Sequence, residues 1–167
     1  MTDDKTTKIL KSAILMEKKG QAFYDKVAQQ ASAEAVKRFF QTMATEEENH
    51  IRILSDQLKA YQDNRQFNAG QFDEHQQSEI ASQVLSKEVK SEITAADYEA
   101  AAISAAMSME ESAIKLYSGR AAAATDPNEK ALYNWLAKWE TQHLNFLADI
   151  DRELTEDIWY DQSFWRF

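Results

Sequence analysis

Displaced by 93 residues, the chain matches itself: Met16-Glu17 falls on Met109-Glu110, Tyr24 on Tyr117, Ala44 on Ala137, Glu47 on Glu140, His50 on His143 and Leu54 on Leu147. The copies share an internal interval as well. Glu17 and Glu47 stand 30 positions apart, as do Glu110 and Glu140, so the two midpoints fall at Ser32 and Thr125. Thr125 abuts Asp126-Pro127, which contains the only proline of the chain. Residues equidistant from the turn of an antiparallel helix pair lie at one height, here about 22 Å from the turn at about 1.5 Å per residue. Glu17 should therefore face Glu47, and Glu110 should face Glu140.

That geometry presupposes helices, and the composition supports them. Three glycines and one proline punctuate 167 residues that are rich in Ala, Glu, Lys, Gln and Leu, a composition of long helices in a chain of one-domain size. Apolar residues recur at helical spacing at Leu10, Ile14, Tyr24 and Val27, and again at Phe40, Met43, Ile51, Leu54, Leu58 and Tyr61. The expected helices cover about 4–31, 33–61, 94–124 and 127–154. Thr94 to Asp97 resembles a capping box. Asp126 should cap the fourth helix, with Pro127 at its first position and Glu129 closing the cap. Residues 62–93 form a long crossover in which Asp63, Asn64, Asn68 and Gly70 favour irregular backbone, and Ile80, Val84 and Leu85 suggest a short amphipathic helix. The tail 155–167 carries Trp159, Tyr160, Phe164, Trp165 and Phe167, suited to packing over a bundle end or a partner subunit. Two up-down hairpins joined by a long crossover describe an all-α, ferritin-like four-helix bundle.

A net charge of −9 argues against nucleic acid and anionic membranes as partners, because both require a basic surface. The absence of cysteine removes disulfides, thiolate metal sites, iron–sulfur clusters and thiol redox chemistry. No apolar stretch approaches membrane-spanning length, and Met1-Thr2-Asp3-Asp4-Lys5 has no signal-peptide core. A cytoplasmic protein is expected.

The repeat then acquires chemical content. Residues three apart share a helical face, so Glu47 with His50 and Glu140 with His143 each present an oxygen and an imidazole nitrogen together. With Glu17 and Glu110, six ligands converge on one level of the core. Four buried carboxylates without countercharge would cost several kcal/mol each, and two divalent cations would neutralise all four. Oxygen and imidazole donors without sulfur favour iron first and manganese second, with zinc as a substitute in purified protein. Tyr24 and Tyr117 lie seven residues after Glu17 and Glu110 on the same faces. They serve either as core packing or as donors that orient ligating carboxylates or pass electrons. Trp135 and Trp139 read as core aromatics. Glu46, Glu48 and Glu111 read as a solvated face, and His75 as a solvated side chain of the crossover.

Glu17, Glu47 with His50, Glu110, and Glu140 with His143 together resemble the ligand set of the rubrerythrin and bacterioferritin branch of the ferritin-like superfamily, over both hairpins. The resemblance implies two iron ions, with Glu47 and Glu140 as bridges and Glu17 with His50 and Glu110 with His143 as terminal pairs. Three departures accompany it. Full-length rubrerythrin carries a Cys-rich rubredoxin domain; a chain without cysteine has none and needs an external electron-donor protein. Rubrerythrin also has a further Glu one turn after the third-helix ligand, where this chain has Ala113. Haem-binding bacterioferritins have Met after the first bridging Glu, where Glu48 stands here, so no haem is expected. The implied function is an oxidoreductase reacting with O2 or H2O2, as a ferroxidase or peroxidase. Iron sequestration is the alternative, manganese catalase chemistry a third reading, and a homodimer the expected assembly.

Overall fold

The computed structural model describes residues 4–70, 72, 87–93 and 98–160. Five helices occur in this order: α1 Lys5–Gln30, α2 Glu34–Asn64, α3 Lys87–Glu92, α4 Tyr98–Ala123 and α5 Pro127–Tyr160. No strand occurs among the described residues. The turns lie where the repeat puts them, at Ala31 to Ala33 around Ser32 and at Ala124 to Asp126 around Thr125.

Local chemistry fixes the helix ends. Asp4 caps α1, its Oδ1 accepting from the Thr7 amide at 2.8 Å, and so satisfies one of the free donors of the first turn. Asp126 caps α5 through the Asn128 amide at 2.8 Å and the Glu129 amide at 3.3 Å. The Glu129 side chain departs from expectation: it accepts from Arg120 Nε at 2.7 Å and thus ties α4 to α5 across their turn. Helix α2 continues to Asn64 and stops at Arg65, whose φ of 59° is left-handed and whose amide closes on the Tyr61 carbonyl at 2.9 Å. Beyond it, Gln57 and Asn68 exchange two hydrogen bonds of 3.2 and 3.0 Å. Asn128 Nδ2 donates to the Phe67 carbonyl at 3.2 Å, so the crossover begins pinned to the far hairpin's turn.

Helix α5 runs to Tyr160 rather than ending near Leu154, because no glycine or proline after Pro127 interrupts it. The expected amphipathic segment at Ile80, Val84 and Leu85, the cap at Thr94 to Asp97, His75, and the aromatics Phe164, Trp165 and Phe167 lie outside the described residues. Helix α3, on the crossover, packs on α2 and α5.

Helix α1 packs chiefly on α2 and α4 on α5, and the hairpins meet through α1 and α4 and through long side chains. Two apolar clusters form the core. One contains Val27, Phe39, Phe40, Met43, Ile103 and Leu147; the other contains Leu10, Leu54, Leu132, Leu136, Trp135 and Trp139. Burying each Leu or Phe stabilises the fold by about 1.5–3 kcal/mol. A polar layer separates the clusters.

Candidate metal centre

That layer consists of the six residues the repeat singles out. Each of the four helices that bear them turns its residue inward, and Glu17, Glu47, His50, Glu110, Glu140 and His143 are all at most 3% exposed. Helical spacing carries His50 with Glu47 on α2 and His143 with Glu140 on α5. Both imidazoles point Nδ1 into the layer. His50 Nδ1 lies 2.9 Å from Glu140 Oε1 and 3.3 Å from Glu17 Oε2. His143 Nδ1 lies 3.1 Å from Glu140 Oε2, 3.4 Å from Glu47 Oε1 and 3.5 Å from Glu110 Oε1.

These atoms sort into two overlapping groups, Glu17, Glu47, His50 and Glu140 on one side and Glu47, Glu110, Glu140 and His143 on the other. Within each group the potential ligand atoms all lie within 4.8 Å of one another. Glu47 and Glu140 belong to both groups, so two adjacent cations would share them. Both oxygens of Glu140, and Nδ1 of His143, are buried without a hydrogen-bond partner. Their neighbours stand at ion-pair distance but outside hydrogen-bond geometry. Buried acceptors in that condition cost free energy unless a cation takes them up. The donor set therefore fits a di-metal site.

Without metal, protons fill the same electrostatic role. Burial, reinforced by the charge of Glu47, pushes the Glu17 carboxyl up to about 8. Burial and the charge of Glu140 likewise raise Glu110 well above the carboxylate range. Burial would raise Glu47 and Glu140 too, but Glu17 and the close histidines for Glu47, and the His50 charge with the close His143 ring for Glu140, hold both low. Burial alone would lower His50 and His143. The surrounding carboxylates outweigh it, Glu140 foremost for His50 and the nearby Glu110 and Glu140 for His143, and raise both well above 6.5. These shifts favour protons on Glu17, Glu110 and both imidazoles and charge on Glu47 and Glu140, which moves the layer toward neutrality.

The tyrosine rings pack in the two apolar clusters, and their hydroxyls reach carboxyls of the layer. Tyr24 on α1 donates to Glu110 Oε1 on α4, and Tyr117 on α4 donates to Glu17 Oε1 on α1. Each hydroxyl thus orients a carboxyl of the opposite hairpin. Glu48 and Glu111 are exposed, as expected.

Glu46 corrects the sequence reading. It is 7% exposed, and its Oε2 accepts from Trp139 Nε1 at 3.1 Å and lies 2.6 Å from His143 Nε2. Its spacing held the signal, since Glu46 precedes His50 by four residues and so stands about 40° from it around the helix. Trp135 and Trp139 are core aromatics, as expected, and they also wall in His50, with ring centroids 5.6 and 5.7 Å from its own.

Above the layer a cavity of about 350 Å³ opens between α1 and α4, lined by Met16, Gly20, Met109 and Ala113, with Glu17, Glu47, Glu110 and Glu140 at its floor. Gly20 lies beside the floor, where an added Cβ would sit 3.5 Å from Glu47 Cδ, an ordinary contact. Ala113 lines the opposite wall.

The family model described as Rubrerythrin matches residues 8–151. The chain belongs to the rubrerythrin family. The match takes in all six inward-facing Glu and His residues, both tyrosines and Glu46. Comparison with curated proteins and with solved structures gave no match. As a rubrerythrin-family chain, this one carries the erythrin-type helical bundle. Among its described residues no helix is long and apolar enough to cross a membrane.

Proposed function

We propose that this chain is a di-iron oxidoreductase that reacts with O2 or peroxide and draws electrons from a separate donor protein. The observation that carries the reading is the pair of overlapping ligand groups joined by Glu47 and Glu140. Glu17 with His50 would hold one ion and Glu110 with His143 the other, with Glu47 and Glu140 between them. Carboxylate and imidazole donors without sulfur suit iron, with manganese next. When bound, such ions supply redox electrons and Lewis acidity.

The protein's own contribution is positional. Tyr117 holds Glu17 Oε1 and leaves Oε2 facing His50 Nδ1, while Tyr24 holds Glu110 Oε1, the oxygen that also faces His143 Nδ1. The cavity between α1 and α4 leads a small oxidant to the carboxylate floor past Met16 and Met109. Ala113 supports a reading apart from the rubrerythrin peroxidase pattern, because its wall of the cavity lacks the additional carboxylate. The apolar clusters on either side of the layer restrict water there.

Anaerobic metal analysis of the parent and of His143→Ala tests the site. Two irons per chain should fall to one or none, and unchanged occupancy would refute it. Stopped-flow absorbance of the ferrous protein mixed with O2 or H2O2 tests the reaction. A visible charge-transfer band should develop, and a spectrum that stays flat with either oxidant would rule the activity out.

A further inference from the structure

The internal repeat pairs the six ligand residues and the two tyrosines one for one, yet it breaks beside the histidines. Under the same displacement Glu46 falls on Trp139. These two residues touch: Trp139 Nε1 donates to Glu46 Oε2 at 3.1 Å. The same oxygen lies 2.6 Å from His143 Nε2, on the side of the ring opposite the carboxylate layer. The equivalent side of His50 meets indole. Its ring stands nearly perpendicular to Trp135 and Trp139, at 80° and 89°, and among the described residues its Nε2 has no hydrogen-bond partner.

The two imidazoles are thus prepared differently. A histidine that gives its outer N–H to a carboxylate is locked in one tautomer and one ring orientation, and its inner nitrogen becomes a stronger donor. His143 has this support, with Nδ1 inward and Nε2 bonded to Glu46. His50 presents Nδ1 to the layer equally well but gains nothing comparable at Nε2, since contact with an aromatic ring is a weak substitute for a carboxylate. Ring contact does not equalise them either, because one of the two indoles that wall His50, Trp139, spends its N–H on Glu46 and so supports His143.

We propose that the two metal positions are inequivalent, that the position formed by Glu110 and His143 fills first, and that Glu46 sets this order as a positioning residue. The proposal rests on the two-metal reading above. Its magnitude follows from what outer partners of ligating histidines contribute, about 10–100-fold in metal affinity.

The test isolates each position. Chelator-treated protein is titrated anaerobically with Mn(II) by calorimetry, in the parent, in His50→Ala and in His143→Ala. The ion retained by His50→Ala should match the parent's first ion, and the ion retained by His143→Ala its second. Adding Glu46→Gln to His50→Ala should weaken the remaining ion by about 10–100-fold, and adding it to His143→Ala should change nothing. Mn(II) paramagnetic resonance at one equivalent should give an isolated six-line spectrum in the parent. Glu46→Gln weakening both single-site variants alike, or neither, overturns the proposal while leaving two-metal binding intact. A parent that takes up no Mn(II) overturns both. Should Glu46→Gln fail to fold by circular dichroism, Glu46→Asp serves instead, since it keeps the charge but draws the carboxylate back from His143 Nε2. The ion retained by His50→Ala must then weaken while the ion retained by His143→Ala holds, and equal effects on both overturn the proposal.

Discussion

Removing metal and raising the pH from 6 to 8 should loosen this fold, and Glu17 sets the size of the effect. Its carboxyl titrates at about 8 in the folded chain against 4.5 ordinarily. Between those values the folded chain holds a proton that the unfolded chain has released, so stability is highest near the lower value and is lost as pH rises through the upper one. At pH 6 the folded group is almost wholly protonated, and at pH 8 about half, which converts to a loss of about 2 kcal/mol over that span. Glu110, His50 and His143 are raised as well and act in the same direction. Glu47 and Glu140 are held low, and their contribution is already complete by pH 6. For a chain of this size about 2 kcal/mol corresponds to a fall of about 4–8 °C in melting temperature. The assay is thermal unfolding followed by circular dichroism in chelator-treated buffers. With two divalent ions bound the trend should reverse, because binding expels these protons and strengthens as they become easier to remove. A metal-free melting temperature that is flat or rising from pH 6 to 8 would refute the account of the layer as a proton-filled site.

Two further substitutions probe the surroundings. Tyr117→Phe deletes the donor to Glu17 Oε1 and should cost the metal-free protein about 1 kcal/mol, read as a lower urea midpoint. It should also weaken the ion at Glu17 and His50 more than the ion at Glu110 and His143, by the same calorimetric titration. Gly20→Ala places a methyl 3.5 Å from Glu47 Cδ, an ordinary contact, so the gain in helix propensity should raise metal-free stability by about 0.5–1 kcal/mol. Because the methyl narrows the cavity over Glu47, metal uptake followed by stopped flow should slow.

How much of this was legible in the sequence depended on symmetry. Both hairpin turns, and the six residues at one height, follow from two equal intervals and the geometry of antiparallel helices. The reciprocal tyrosine bonds were half-visible: spacing put Tyr24 and Tyr117 on the right faces, but which carboxyl each reaches depends on the approach of α1 to α4, which no single-helix pattern encodes. Glu46 was misread because the buried arc of α2 was drawn toward α1 alone. Helix α2 also faces α5, and that second neighbour widens the arc to include Glu46. Helix α5 outruns its expected end because a change to aromatic composition does not stop a helix where no glycine or proline stands. Glu129 satisfies the capping pattern by type, yet a guanidinium one turn before the end of α4 competes for it.

The reciprocal tyrosine bonds also bear on how the centre comes into being. Each hairpin supplies a carboxyl whose orientation is decided by a hydroxyl from the other, and Glu47 and Glu140, one from each hairpin, belong to both ligand groups. Neither hairpin owns an ion. The centre is a seam between two halves, formed only when they close on each other, so opening the hairpins should cost both metal positions together even though the two fill in order.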